Sequence, residues 1–249
     1  MEIELKEDER IDDLEYKGLK IIQNKNGFCF GIDAVLLSDF AKEIKKGSSV
    51  LDLGTGTGIL GILLCAKTEL SNITGVEIQE DVFEMAKRSI KLNNLENKFS
   101  VINEDIKELE KKLELQSYDA IVTNPPYKKN STGLKNDNEY KIISRHEVKC
   151  NLEDIVRVSS KLLKNNGKLF MVHRPERIKD IIINLNKYKM QIKEIRFVHP
   201  NVNKKPNMVL IKAVKGGGDF LNVQEPLFVY NIDGTYTDEI LKIYNKERE

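Results

Sequence analysis

Four short segments carry residue types that can do chemistry. Asn124-Pro125-Pro126-Tyr127 directly follows the apolar run Tyr118–Thr123. Paired prolines fix the backbone and remove two N–H donors, so the chain must leave a sheet here, at its carboxyl edge. Asn124 then offers an amide oxygen, the Pro125 carbonyl a second acceptor, and Tyr127 a flat face for a planar base. Two acceptors facing one planar –NH2 group hold both its hydrogens; a rigid proline turn with a packing tyrosine is the plain alternative. The second segment is Asp52-Leu53-Gly54-Thr55-Gly56-Thr57-Gly58. Its glycines allow positive φ and leave room for a ligand, and the helix that follows offers unpaired N–H groups to an anion. The spacing is G-x-G-x-G, not the G-x-G-x-x-G expected for dinucleotides. A tight turn without a ligand is the alternative. Third, Glu77 ends the next apolar run, where a carboxylate can accept both hydroxyls of a ribose or simply face solvent. Fourth, Asp105 follows Val101-Ile102-Asn103-Glu104, placed either to accept from an adenine amino group or to cap a helix.

These segments need a frame. Short Val/Ile-rich runs occur at Ser49–Leu53, Ile73–Ile78, Phe99–Asn103, Tyr118–Thr123, Lys168–His173, Ile192–Val198 and Met208–Val214. Each is bounded by Gly, Asn or Asp and reads as a strand. Helical patterns lie between them at Ile59–Lys67, Glu80–Asn93, Leu152–Lys164 and Glu176–Asn186. In the second, Val82, Met85, Ala86, Ile90 and Asn93 fall near one face. In the third, Asn151 is placed as N-cap, and Gly167 is expected to follow the C-terminus. Strand–helix alternation predicts a parallel sheet covered on both faces. The last two runs are joined by His199 to Asn207, too short for a crossover helix, so they should pair antiparallel. Upstream, Leu19–Phe30 reads as a β-hairpin around Asn24-Lys25-Asn26-Gly27, and a helix with Asp33 near its start follows. Gly216-Gly217-Gly218 marks a turn before a small terminal segment. The expected organisation is an N-terminal hairpin and helix (1–47), a core (48–215), and a C-terminal extension packed on it (216–249).

Composition excludes other classes. The chain has 249 residues, 40% hydrophobic and 32% charged, with Lys+Arg 40 against Asp+Glu 39. It can bury a full core, and it lacks the overall basic field that would capture nucleic acid. Cys29, Cys65 and Cys150 show no paired-thiol spacing, so no disulfide scaffold or zinc site is expected, and the thiols should be small buried or neutral groups. The longest apolar run, Ile59 to Ala66, is too short to span a bilayer, and the acidic start lacks a signal peptide's apolar core. The reading is a cytoplasmic protein with no metal.

Taken together, Asp52–Gly58, Glu77, Asp105 and Asn124–Tyr127 resemble class I S-adenosylmethionine-dependent methyltransferases that modify exocyclic or amide nitrogens. Three further segments are similar to the bacterial tRNA(Val) adenine N6-methyltransferases, which act on the adenine just 3′ of the anticodon: Phe28–Leu37, Arg145-His146-Glu147 and Val172–Arg177. The resemblance covers nearly the whole chain. It implies a Rossmann-like, seven-stranded α/β methyltransferase sheet, mostly parallel with an antiparallel C-terminal hairpin and helices on both faces. It implies that Asp33, Asp52, Gly54, Thr55, Gly56, Gly58, Glu77, Ile78, Asp105, Ile106 and Asn124 bind S-adenosylmethionine, and that Asn124, Pro125, Pro126 and Tyr127 are catalytic. The target adenine would leave its stack and enter beside Tyr127, with no general-base histidine, metal or covalent nucleophile required.

RNA needs phosphate contacts. Lys128, Lys129, Lys135, Lys141, Arg145 and Lys149 follow the proline corner, with Lys204 and Lys205 in the hairpin loop. Lys128, Lys129, Arg145, His146, Lys204 and Lys205 are the expected RNA contacts, and 128–140 reads as a loop that closes on substrate, against the alternative of a solvated basic loop. His146 reads as a structural hydrogen-bonding group or a base, His173 as a core or rim histidine. Three rivals stay open: a protein-glutamine methyltransferase using the same acceptors on an amide, an NAD-dependent dehydrogenase, and a non-catalytic RNA-binding module.

Overall fold

A computed structural model describes residues 4–27, 31–127 and 150–246. The apolar runs form strands whose alternate residues enter two cores. Val50, Ala120, Val122, Phe170 and Val172 point into one, while Leu51, Leu53, Ile121, Leu169 and Met171 point into the other. A strand apolar on both faces needs cover on both. Helices α1 (Ile32–Phe40), α2 (Ile59–Lys67) and α7 (Asp238–Ile243) supply one side, and α5 (Leu152–Leu162) and α6 (Ile178–Lys187) the other.

The sheet is the expected one. Its strands are β3 (Ser49–Leu53), β4 (Asn72–Glu77), β5 (Phe99–Asn103), β6 (Tyr118–Thr123), β7 (Leu163–His173), β8 (Met190–His199) and β9 (Met208–Lys215). Their order is β8-β9-β7-β6-β3-β4-β5, and only β9 runs antiparallel, to both β7 and β8. From β3 the chain passes through α2 to β4, then through α3 (Glu80–Leu92) to β5, on one side. It returns by way of the short α4 (Leu109–Lys112) to place β6 on the other side of β3. This reversal makes the β3/β6 junction the switch point, and ligands of open α/β sheets bind in the crevice beyond the strand ends there. Two short strands not foreseen in the sequence, β10 (Asn222–Val223) and β11 (Leu227–Phe228), lie parallel to β8.

Two expectations need correcting. Strand β2 (Lys20–Asn24) forms, but it pairs with β1 (Glu9–Asp13), upstream of it, rather than within Leu19–Phe30. The acidic start of the chain is therefore the missing strand, and Phe28–Phe30 lie outside the described residues. Glu9 is buried against Arg88 of α3, with both carboxylate oxygens engaged at 2.5 and 2.6 Å, which holds its carboxyl below the usual range. Asn93, expected on the α3 face, binds both N and O of Lys20 and so fixes the β2 edge. Gly167 does not follow a helix end either. Helix α5 stops at Leu162, and residues 164–167 bulge from β7, whose pairing with β6 skips from Tyr118↔Leu163 to Ala120↔Lys168. The N-terminal expectation for α5 is borne out: Asn151 accepts from Asp154 N at 3.0 Å, and Asp154 accepts from Asn151 N at 3.2 Å.

Phe99, 1% exposed, lies under the glycine turn, where a Cβ on Gly61 would sit 2.4 Å from its ring. Phe99→Ala should cost about 3–5 kcal/mol of stability, the range for emptying a buried aromatic site, read from urea unfolding midpoints. A loss under about 1 kcal/mol would mean that α2 is held by something else.

Candidate active site

Register decides what meets at the carboxyl edge. Asn103 lies opposite Glu77, Val76 opposite Leu53, Leu53 opposite Thr123, and Thr123 opposite Met171. Neighbouring strands are about 4.8 Å apart, so residues just past these pairs form a row. In spatial order the row is Asp105, Glu77, the glycine turn, Asn124, and His173-Arg174. Thr123 Oγ1 donates to Leu53 O at 2.9 Å in full burial. Gly54 and Asn124 thus leave the sheet side by side at the switch point.

The glycine turn is held from below and open above. Gly54, Gly56 and Gly58 have φ of +75°, +57° and +94°, and a Cβ on Gly54 or Gly56 would meet nothing within 4 Å. Beneath, Gly54 N and Thr55 N donate to Val76 O at 3.0 and 2.9 Å. Thr55 Oγ1 donates to Asp52 Oδ2 at 2.6 Å, and a Cβ on Gly75 would sit 2.8 Å from Thr55, so β4 needs glycine opposite the turn. Burial pushes the Asp52 carboxyl up to about 7, with the Glu77 carboxylate adding to the effect and the Thr55 hydroxyl opposing it. Asp52 therefore supports the turn from inside the core.

Glu77, 6% exposed, accepts from Gly56 N at 3.1 Å, from Gln79 N at 2.9 Å and from Gln79 Nε2 at 3.4 Å. A carboxylate accepts about four hydrogen bonds, so one position is open and release of the long Gln79 side-chain bond frees a second. Two acceptors suit a vicinal diol. Asp105 does cap: its Oδ1 accepts from Lys107 N at 2.9 Å, opening a 3-10 turn at Ile106–Glu108, while Oδ2 lies 3.6 Å from Lys107 Nζ. Ile78 and Ile106 are half-buried beside these carboxylates.

On the other side of the turn, Pro125 is buried, Pro126 exposed, and Asn124 and Tyr127 half-buried. The Tyr127 hydroxyl lies 2.7 Å from Asp33 Oδ2 and 2.6 Å from Asn124 Oδ1. Burial and the Asp33 carboxylate push the phenol well above its ordinary value, so it keeps its proton. The Arg174 guanidinium lies over the Tyr127 ring, 4.9 Å from its centroid, and the His173 ring is 5.4 Å away. His173 is buried, and burial with the nearby Arg177 and Arg174 pushes it down to about 4, a neutral ring whose Nδ1 accepts from Arg174 N at 2.8 Å. It is the core histidine expected. Lys204 and Lys205 are exposed in the β8–β9 loop at this same edge, which Arg174 Nη1 reaches by donating to Asn207 O at 2.8 Å. Lys128, Lys129, Arg145, His146 and the loop 128–140 lie outside the described residues.

Sequence reading missed Gln79, and it met Arg174 only as part of the Val172–Arg177 segment, without a role at the site. Neither carries a local signal, because each acts through a neighbour that only the fold supplies. Cys65 and Cys150 are free and half-buried, and burial pushes their thiols up to about 11 and about 12, neutral as expected. Among the described residues no group of three His, Cys, Asp or Glu could hold a metal ion, and no helix is long and apolar enough to cross a membrane.

A doubly wound sheet with an open glycine turn, acidic strand ends and an amide-bearing proline corner at its switch point has the architecture of the methyltransferases. A family model described as the methyltransferase small domain matches residues 31–194, and the chain belongs to that family. It is 26% identical over 239 residues, 93% of each chain, to a Porphyromonas gingivalis protein named tRNA1(Val) (adenine(37)-N6)-methyltransferase. Its fold is similar to that of a solved protein from Agrobacterium tumefaciens described as a predicted O-methyltransferase, with a TM-score of 0.67 at 22% identity, covering 86% of this chain and 95% of that one. It is also similar to M. jannaschii TYW2 solved in complex with AdoMet, with a TM-score of 0.54 at 13% identity, covering 85% and 87%.

Asp52 gives a test of the turn. Its folded carboxyl titrates near 7 against 3.8 for the ordinary group, so the native state holds the proton more tightly. Its contribution is complete below the ordinary value and is lost as pH rises through the folded one. The stability of the wild type minus that of Asp52→Asn should therefore fall between about pH 4 and 7, by at most ~1.4 kcal/mol per pH unit. Chemical unfolding at several pH values reads it, and the opposite contribution of His173 cancels in the difference. A flat difference would place Asp52 in contact with water.

Proposed function

We propose that this protein transfers a methyl group from S-adenosylmethionine to the N6 amino group of an adenine in tRNA, next to the anticodon. The observation that carries the reading is the emergence of Gly54 and Asn124 side by side from the Leu53↔Thr123 pair. It sets an open turn beside an amide group. The named relative from P. gingivalis, similar over nearly its whole length, supports the substrate.

The residues fit the cofactor. The space over Gly54 and Gly56 admits a ligand against the backbone, Glu77 has acceptor positions for a ribose, and half-buried Ile78 and Ile106 offer apolar contact for a base next to Asp105. When bound, the cofactor supplies an electrophilic sulfonium methyl group. The chain's own part is to bind and orient. Asn124 Oδ1 and the Pro125 carbonyl accept the two hydrogens of the target amine, drawing the nitrogen toward tetrahedral geometry and localising its lone pair. Proline at 125 and 126 keeps this corner free of competing N–H donors and stiff. Positioning of this kind can supply most of the rate, and the proton released by the product goes to water. Tyr127 stays protonated and serves as a surface for the base, whose entry requires Arg174 to share or yield the ring face.

Arg174, Lys204 and Lys205 form the cationic rim that would meet RNA phosphates, and the basic residues of 128–149 would add to it. Residues 48–215 are read as the catalytic unit, with 1–47 and 216–249 packed on it. The run of β10 and β11 along β8, and the Arg88–Glu9 pair, support that packing. The site of action is the cytoplasm, where tRNA is found.

Incubation of unmodified tRNA with methyl-labelled cofactor, followed by nucleoside mass analysis, should yield N6-methyladenosine. Label appearing only in protein amide would overturn the reading. Asn124→Ala should lower turnover by about 100-fold or more while leaving cofactor affinity within about threefold, as expected for a group that acts on the transition state. An active Asn124→Ala enzyme would remove this mechanism.

A further inference from the structure

We propose that Asp33 is a positioning residue that sets the orientation of the Asn124 amide through the Tyr127 hydroxyl. The proposal rests on the methyl-transfer reading above and concerns how its acceptor is held.

Tyr127 Oη has one hydrogen, yet it lies within hydrogen-bonding distance of two acceptor positions, Asp33 Oδ2 at 2.7 Å and the Asn124 amide oxygen at 2.6 Å. A carboxylate has no proton to return, and its contact with a hydroxyl whose proton points elsewhere would set lone pair against lone pair. Hydrogen bonds to an ionised acceptor are about twice as strong as neutral ones, so the phenol proton goes to Asp33. The Asn124 amide must then turn Nδ2 to the phenol and donate to Oη. Oxygen and nitrogen exchange places by a half-turn of the amide, with no other movement. All three groups are satisfied in one direction: amide to phenol, phenol to carboxylate. Asn124 Oδ1 consequently faces away from Tyr127, with both lone pairs available to an amine.

Asp33 is itself fixed. It is 8% exposed in the first turn of α1, and its other oxygen, Oδ1, accepts from Ala34 N at 2.9 Å. Remove the carboxylate and the phenol proton has only the amide oxygen to bond. Asn124 then stays in place but presents its nitrogen outward, where an amine donor finds no acceptor. The error is one of orientation, in a site that is otherwise intact.

Three variants test this: Asp33→Ala, Tyr127→Phe and the double variant. Tyr127→Phe keeps the ring and removes the hydroxyl. Each single variant should lower kcat by about 10- to 100-fold, the cost of a misplaced reacting group, with the KM for tRNA and the cofactor Kd within about threefold. The double variant should be no slower than Tyr127→Phe, because Asp33 acts only through the hydroxyl. Asp33→Asn, which keeps an acceptor, should recover part of the activity lost in Asp33→Ala. Multiplying effects in the double variant, or a Kd for the cofactor that rises more than tenfold in Asp33→Ala, would overturn the proposal; the second result would make Asp33 a cofactor contact. A readout independent of turnover is the NMR signal of the Asn124 side-chain NH2 in the full chain. Its hydrogen exchange should be slowed in the wild type and fast in both single variants, and exchange unchanged by Asp33→Ala would likewise overturn the proposal. Failure of the wild type to methylate RNA would sink the functional reading, while the exchange result would still decide the hydrogen-bond chain.

Discussion

The site depends on one ladder position, Leu53 opposite Thr123, locked by the bond from Thr123 Oγ1 to Leu53 O. Two strands that are far apart in sequence become neighbours there, and the chain leaves both at the same level. A shift of one residue would move Asn124 by about 3.3 Å and turn its side chain to the other face. Register is secured by the alternation on either side. Val122 and Ile121 enter different cores, and neither could change place with a polar neighbour.

Around that junction, each side of the cleft uses different chemistry. The glycine side is made of backbone: positive φ, open space over Gly54 and Gly56, and a carboxylate already holding three donors. The proline side is stripped of donors and shows acceptors. A cofactor carrying hydroxyls and positive charge suits the first, and an amine suits the second. Asp52 and Thr55 fill the space under the turn, at the cost of a buried carboxyl pushed up to about 7. The C-terminal strands add support along β8, and His199 Nδ1, 2.8 Å from Lys204 O, ties the basic loop to the same edge.

Much of this was legible in the sequence because the signals are local. Leu53 meets Gly54, Ile59 follows Gly58, Thr123 meets Asn124 and Asn103 closes its own run, and Ser49–Leu53, Ile59–Lys67, Phe99–Asn103 and Tyr118–Thr123 have the same bounds in the structure. The short link after β8 required an antiparallel partner. What was misread depends on distant partners. Glu9–Asp13 looks like a solvated acidic start until Arg88 and β2 are beside it. Gly167 resembles a helix stop, but the bulge in β7 decides its role. The Asp33–Tyr127 contact joins residues 94 apart, and nothing local announces it. The same holds for Arg174 over the Tyr127 ring.

The central claim is that methyl donor and amine acceptor meet across the β3/β6 junction. A crystal structure of the protein with S-adenosylhomocysteine tests it most directly. The thioether sulfur should face the Asn124 amide across a gap that admits one amino group and one methyl, with reacting atoms about 3–3.5 Å apart once both are placed. A ligand whose sulfur points toward β5, or that lies away from Gly54 and Gly56, would contradict the account.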